Sequence, residues 1–224
     1  AVLSIDIPAA SPRNHEKRHM QRLLMEKFFE DITPNGRDIL ARDCEDKTDF
    51  LKWTGVRVNE NDVTVIRYAN RKYGNFRIEF LPPTTCEILI SYCEQKYSVE
   101  TRRLPRRLRN LWLRDNQIFG RVDLRNLPEE LENFQASENK IVGPIDLTNL
   151  PRTLKHMNLS FNHIEQKVVF YANLPPDVIE IKLAVQSTKR RRMVFRPLTK
   201  DDCLGPARAQ RIFGRLLYVD ERDV

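Results

Sequence analysis

The stretch Leu127–Asn149, LPEELENFQASENKIVGPIDLTN, is followed at once by LPRTLKHMNLSFNHIEQKVVFYAN and preceded at once by LPRRLRNLWLRDNQIFGRVDLRN. The three segments are near-copies. Their Leu-Pro dipeptides begin at Leu104, Leu127 and Leu150 and return at Leu174, giving spacings of 23, 23 and 24 residues. An asparagine recurs at Asn116, Asn139 and Asn162. Apolar columns run in the same register: Leu111, Phe134, Met157 and Ile181; Leu113, Ala136, Leu159 and Leu183; Ile118, Ile141 and Ile164; Val122, Ile145 and Val168; Leu124, Leu147 and Phe170. Agreement in this many columns marks a structural repeat.

The period extends upstream. Leu81 opens LPPTTCEILISYCEQKYSVE, in which Ile88 and Ile90 fill the two strand columns and Cys93 replaces the asparagine. GNFRIEFLP matches GRVDLRNLP, with Gly74, Phe76 and Ile78 in the places of Gly120, Val122 and Leu124. The array is therefore expected over residues 63–184 as about five units, with degenerate outer copies because an end unit has only one neighbour.

The chemistry of the unit dictates its shape. An L-x-L alternation makes a short strand with leucines inward and the intervening residue outward. The asparagine side chain carries a donor and an acceptor and can tie the turning backbone of its own and the next unit. Glycine permits a backbone conformation other residues resist. The VDL or IDL run after it reads as a second extended segment on the outer wall, and Leu-Pro turns the chain into the next unit. A single unit has no core; stacked units share one.

These residues resemble leucine-rich repeats of about 23 residues, and the L-P-x-x-L-x-x-L-x-L-x-x-N-x-[IL]-x-G-x-[IV]-D-L form is similar to repeats abundant in kinetoplastid proteins. The resemblance implies an α/β solenoid, a short arc of about five units with an N-terminal helical cap and a basic C-terminal extension. Upstream, FLKWTGVRVNENDVTVIRY resembles the W-x-G-V-x-C cap of extracellular repeat proteins, with Trp53, Gly55 and Val56 present and Val58 where that cysteine would stand. The missing cap cysteine, together with four cysteines (Cys44, Cys86, Cys93, Cys203) lacking C-x-x-C or framework spacing, points to a reducing, intracellular setting. AVLSIDIPAASP at the start lacks the charged and apolar regions of a secretory signal, and no run of about 18 apolar residues could span a membrane.

Residues 1–62 are expected to hold an extension, an amphipathic helix and the repeat cap. Met20, Leu23, Leu24, Lys27 and Phe28 fall at helical spacing within NHEKRHMQRLLMEKFFEDI, which TPNG ends, and RDILARDCEDKTDFLKW follows as helix or loop. The expectation is that both cover the end of the solenoid core. His15, Glu16 and His19 read as a solvated charged face rather than as metal ligands. Residues 185–224 are expected to be a basic extension carrying Lys189, Arg190, Arg191, Arg192 and Arg196, then a short basic helix with Ile212, Phe213, Leu216 and Leu217 on one side. This segment reads equally as a solvated tail with a C-terminal cap and as an arm contacting phosphates.

No phosphate-binding glycine loop, nucleophile elbow or catalytic triad spacing occurs, and only 7 glycines are available to build such a loop. No catalytic residue, cofactor or metal is therefore expected. The candidate protein-binding surface is the concave strand face: Asn110, Trp112, Arg114, Asn133, Gln135, Ser137, His156, Asn158 and Phe161, with Trp112 as an aromatic anchor. Candidate nucleic-acid contacts are Arg103, Arg106, Arg107, Lys189, Arg190, Arg191, Arg192 and Arg196, consistent with a net charge of +7. The sequence-level expectation is a non-catalytic subunit of a ribonucleoprotein, specifically a mitochondrial ribosome or its assembly machinery, with repeats on protein neighbours and basic flanks on RNA. A protein-only adaptor binding one partner on the concave face is the alternative, and cytoplasm and nucleus are the alternative compartments.

Overall fold

In the computed structural model the described residues are 12–183 and 193–214. The chain runs through helix α1 (Pro12–Phe28), helix α2 (Pro34–Leu40), the hairpin β1 (Val56–Asn59) and β2 (Asp62–Ala69), then β3 (Glu87–Ser91), β4 (Asn110–Trp112), β5 (Phe119–Arg121), β6 (Asn133–Gln135), β7 (Lys140–Val142), β8 (His156–Asn158), β9 (Val168–Tyr171), β10 (Glu180–Lys182), β11 (Val194–Pro197) and helix α3 (Pro206–Phe213). The L-x-L columns become one seven-stranded sheet in the order β1-β2-β3-β4-β6-β8-β10. Only the β1–β2 pair is antiparallel in it. Ile66, Ile88, Leu111, Phe134, Met157 and Ile181 stand opposite one another across the six parallel strands and are fully buried. The fold is a leucine-rich-repeat solenoid.

The asparagines form the internal ladder that the period implies. Asn139 Oδ1 accepts from Ile118 N at 2.9 Å, and its Nδ2 donates to Leu113 O at 2.9 Å, Ala136 O at 3.2 Å and Ser137 O at 3.1 Å. Asn162 repeats this one unit on, accepting from Ile141 N and donating to Ala136 O and Leu159 O, each at 2.9 Å. Asn116 accepts from Cys93 N and Gln95 N and donates to Ile90 O and Leu113 O. Each amide thus joins its own unit to the preceding one, whereas the sequence suggested the next. Cys93, buried in the ladder column, turns its thiol to Tyr68 O and Ser91 O. Gln95 and Gln166 supply further bridges: Gln95 Nε2 donates to Gly74 O and Cys93 O, and Gln166 Oε1 accepts from Ile145 N.

The outer wall differs from the expectation. Its extended runs are the parallel pairs β5–β7 and β11–β9, and Val122-Asp123-Leu124 leads into a 3-10 turn at Leu124–Asn126 instead of a strand. Asp123 makes that turn, accepting from Arg125 N at 3.2 Å and Asn126 Nδ2 at 2.5 Å.

Both ends of the core are covered. At the first end Phe28, Phe29, Phe50, Trp53, Tyr68 and Phe76 form an aromatic cluster, with the Tyr68 and Phe76 rings stacked at 4.4 Å and Phe29 tilted on Trp53 at 4.6 Å. Gly55 sits at φ +92, where a Cβ would come within 2.5 Å of Arg67 O, so the cap hairpin has room for glycine alone. The buried face of α1 is not the one its apolar spacing suggested. Met20 and Leu23 are 56% and 44% exposed, while Gln21, Met25 and Phe28 are buried. Gln21 fixes this rotation by accepting from Val63 N at 2.6 Å and donating to Asn61 O and Asp62 Oδ1. TPNG also starts an element as well as ending one, because Thr33 caps α2 by accepting from Gly36 N.

At the far end, β11 adds a strand to the outer wall and α3 folds against β10. Phe213 stacks on Phe195 at 4.1 Å and meets Tyr171 at 5.4 Å, and Ala209, Ile212 and Phe213 are buried. Residues 193–213 therefore close the core, which corrects the alternative of an extended arm over that span. Lys189, Arg190, Arg191, Arg192, Leu216 and Leu217 lie outside the described residues.

Asn139→Ala is expected to lower unfolding free energy by about 1–3 kcal/mol in urea denaturation, because the Ile118 N–H loses its partner and three buried carbonyls each lose one of two donors. Asn149→Ala, an exposed control in the same repeat, should change it by less than about 0.5 kcal/mol.

Candidate protein-binding face

The residues that alternate with the buried strand columns form the floor of the array. Across neighbouring strands one row reads Glu87, Asn110, Asn133, His156 and Glu180, and the next reads Leu89, Trp112, Gln135, Asn158 and Lys182. Trp112 stands in register between Leu89 and Gln135, and all three are half-buried. Asn133 Nδ2 donates to Asn110 Oδ1 at 2.7 Å, while Asn158 Oδ1 accepts from Ser160 Oγ at 2.6 Å. The floor's centre is therefore neutral, aromatic and rich in amides. Charge sits towards its ends as internal pairs, Arg67–Glu87 on one side and Lys182–Glu180, at 2.7 Å, on the other. An amide offers both donor and acceptor, and an indole offers a large rigid apolar face. Such a floor can grip a polypeptide surface without requiring it to be charged.

Two expected members sit elsewhere. Ser137 is 3% exposed, with its carbonyl taken by Asn139 Nδ2 and Asp115 N, so it offers little to a partner. Phe161 lies on the rim, three residues beyond the end of β8, rather than on the floor. Arg114 is exposed between the two zones, donating to Glu138 Oε1 at 2.6 Å and lying 5.7 Å from the Tyr92 ring centre.

The rim has a feature that the sequence did not reveal. Asn70, Tyr92, Asp115, Glu138 and Phe161 occupy equivalent positions at the strand ends, and all adopt left-handed backbone, with φ from +53 to +58. Each of the first four donates its amide to a backbone carbonyl of the next unit: Asn70 to Ser91 O, Tyr92 to Arg114 O, Asp115 to Ser137 O, Glu138 to Ser160 O. The stacking imposes the conformation. Asparagine and aspartate tolerate it; bulky aromatics do not. Tyr92 and Phe161 are nevertheless 39% and 48% exposed, so burial does not offset the strain. Residues that break a local rule without packing compensation cluster at functional surfaces.

The arginine cluster lies on the outer wall and the edge that precedes the strands. Arg103 pairs with Glu100 at 3.0 Å, and Arg109 with Glu130 at 3.1 Å. Arg106 reaches the carbonyls of Asn126 and Arg102. Arg102 and Arg107 are exposed and make no ion pair among the described residues. Arg196 lies within β11, half-buried, as part of the cap. Among the described residues no group of three or more His, Cys, Asp or Glu side chains could hold a metal ion, and no helix is long and apolar enough to cross a membrane.

No protein-family model matches the chain, and no curated protein matches it. Among solved structures it is similar to the BIR2 ectodomain from Arabidopsis thaliana, at 15% identity and a TM-score of 0.50, covering 67% of this chain and 82% of that one. It is also similar to a pollen receptor kinase 3 structure, at 17% identity and a TM-score of 0.50, covering 77% of this chain and 84% of that one. These likenesses agree with the leucine-rich-repeat solenoid and extend to the fold alone.

Replacing both rim aromatics with the residue that best tolerates left-handed backbone, Tyr92→Asn with Phe161→Asn, is expected to stabilise the protein by about 1 kcal/mol. Thermal unfolding checks this; a lower Tm would show that the aromatics serve the fold.

Proposed function

We infer that this chain is a non-catalytic protein-interaction module that holds a protein partner on its concave face. The observation that carries this reading is Trp112, half-exposed at the centre of a neutral, amide-lined floor, with Tyr92 and Phe161 held on the rim. Anchors of this kind carry a large share of interface energy when a partner excludes water around them. Asn110, Asn133, Gln135, His156 and Asn158 provide the polar complement, and Arg114 with Glu138 closes one side.

A second reading is favoured by Arg102 and Arg107, exposed cations without acidic partners among the described residues. In it the module belongs to a ribonucleoprotein, with the kinetoplastid-like repeats on protein neighbours and the outer-wall arginines, together with Lys189–Arg192, on RNA phosphates. A mitochondrial ribosome or its assembly machinery is the specific form of this reading. It ranks second because Arg103 and Arg109 are paired with Glu100 and Glu130.

Affinity purification of the full chain with mass spectrometry, with and without nuclease, separates the two. The protein-module reading expects a partner that survives nuclease, is lost with Trp112→Ala and is retained when Arg102, Arg106 and Arg107 become Ala. Loss of the partner to nuclease, or indifference to Trp112→Ala, would overturn it. In the ribonucleoprotein case, affinity would instead fall steeply with salt.

A further inference from the structure

The amides of the concave floor are not free to present either end. Asn110 Oδ1 accepts from Asn133 Nδ2 at 2.7 Å, and Asn158 Oδ1 accepts from Ser160 N at 3.0 Å and Ser160 Oγ at 2.6 Å. Ser160 is buried, so the group that holds Asn158 is itself held. A carboxamide is planar, and pinning its oxygen leaves its NH₂ as the outward group. Among the described residues Asn110 Nδ2, Asn158 Nδ2 and the whole Gln135 amide make no hydrogen bond. Asn110, Gln135 and Asn158 are half-buried on the sheet face. In the free protein water satisfies them. A partner that excludes this water must bring acceptors for two fixed donors, because a desolvated donor without one costs binding energy.

Charge narrows the choice of acceptor. The ions bordering the floor are already matched as Arg67–Glu87, Arg114–Glu138, Lys155–Glu132 and Lys182–Glu180. A charged group laid over the centre would lose its hydration and gain no counter-ion. The acceptors must therefore be neutral, and the neutral acceptor that every residue of a polypeptide carries is its backbone carbonyl.

Spacing then selects the backbone conformation. Asn110 stands opposite Asn133 and His156 across β4, β6 and β8, and Asn158 lies two residues beyond His156. Two strand spacings one way and two residues the other separate the two donors by about 12 Å. The carbonyls inside a helix are consumed by its own amides, and the free ones are confined to its last turn, too close together to meet both donors. About four residues of extended chain cover the distance with unpaired carbonyls. We propose that the floor takes an extended, uncharged segment of a partner protein, which crosses β4, β6 and β8 diagonally. Two of its backbone carbonyls accept from Asn110 Nδ2 and Asn158 Nδ2, and an apolar side chain rests on Trp112, two residues along β4 from Asn110. The proposal rests on the reading of Trp112 as the anchor of a protein-binding face and adds to it the shape and charge of what is bound.

Two phage-displayed libraries, one of random linear dodecapeptides and one of a helical scaffold with a randomised exposed face, are panned against the immobilised full chain, and clones that still bind Trp112→Ala are discarded. The expected result is enrichment from the linear library, with no Asp, Glu, Lys or Arg in the central part of the selected sequences. Calorimetry with a selected synthetic peptide should show Asn110→Asp and Asn158→Asp each weakening binding about tenfold. Both substitutions keep the pinned oxygen and remove only the outward NH₂, so Tm should stay at the parent's value. Asn149→Asp, exposed and off the floor, should leave affinity unchanged. In ¹⁵N spectra the side-chain NH₂ signals of Asn110 and Asn158 should shift as the peptide saturates the protein. Trp112-dependent clones from the helical library alone, charged centres in the selected peptides, or affinity indifferent to both Asp substitutions would overturn the proposal and leave the Trp112 reading standing. If neither library yields a Trp112-dependent clone, both fall together.

Discussion

Everything in this molecule depends on one buried contact made three times, the asparagine side chain between adjacent turns of the backbone. A solenoid must turn its chain sharply after every strand, and each turn leaves carbonyls and amides pointing into the core. No water reaches them, and the turn is too tight for a regular ladder to pair them. Asn116, Asn139 and Asn162 meet those groups with a short amide that accepts on one side and donates on the other. An apolar residue in that place would fit the volume and leave the backbone unpaired. The leucine columns drive burial, but the amides fix the turn at which burial becomes possible.

The ladder also determines what the surface can be. The stacking that it supports sets the residue before each ladder position in left-handed backbone, so the rim is a row of fixed projections. The floor is equally fixed, since β3, β4, β6, β8 and β10 keep one register throughout. Trp112 is thus presented on a rigid element. A partner meeting it need not order a loop first, which lowers the entropic cost of association.

Much of this was legible in the sequence because a repeat exposes its own columns. The strand leucines, the ladder asparagines and the outward floor residues follow from spacing alone. Other features depend on contacts that a period does not encode. The rotation of α1 is set by Gln21 bonding the β1–β2 turn, a polar contact 40 or more residues away, and apolar spacing could not reveal it. The C-terminal closure depends on Phe213 and Phe195, which lie outside the repeat, meeting each other and Tyr171 of the last outer strand. Ser137 shares its column with exposed Arg114 yet is buried by the neighbouring turn. The rim strain was invisible because backbone sign follows from stacking, not from residue type, and Tyr92 and Phe161 are poor choices for it.

Native-state hydrogen exchange at Ile118 and Ile141 tests the central claim most directly. Ile118 lies just before β5 and Ile141 within the short strand β7, and both donate to an asparagine side chain, at 2.9 Å in each case. If the ladder holds the solenoid together, they exchange only through global unfolding, with the same denaturant dependence as the amides of β4, β6 and β8. Exchange at the faster, denaturant-independent rate of locally fraying turns would contradict it.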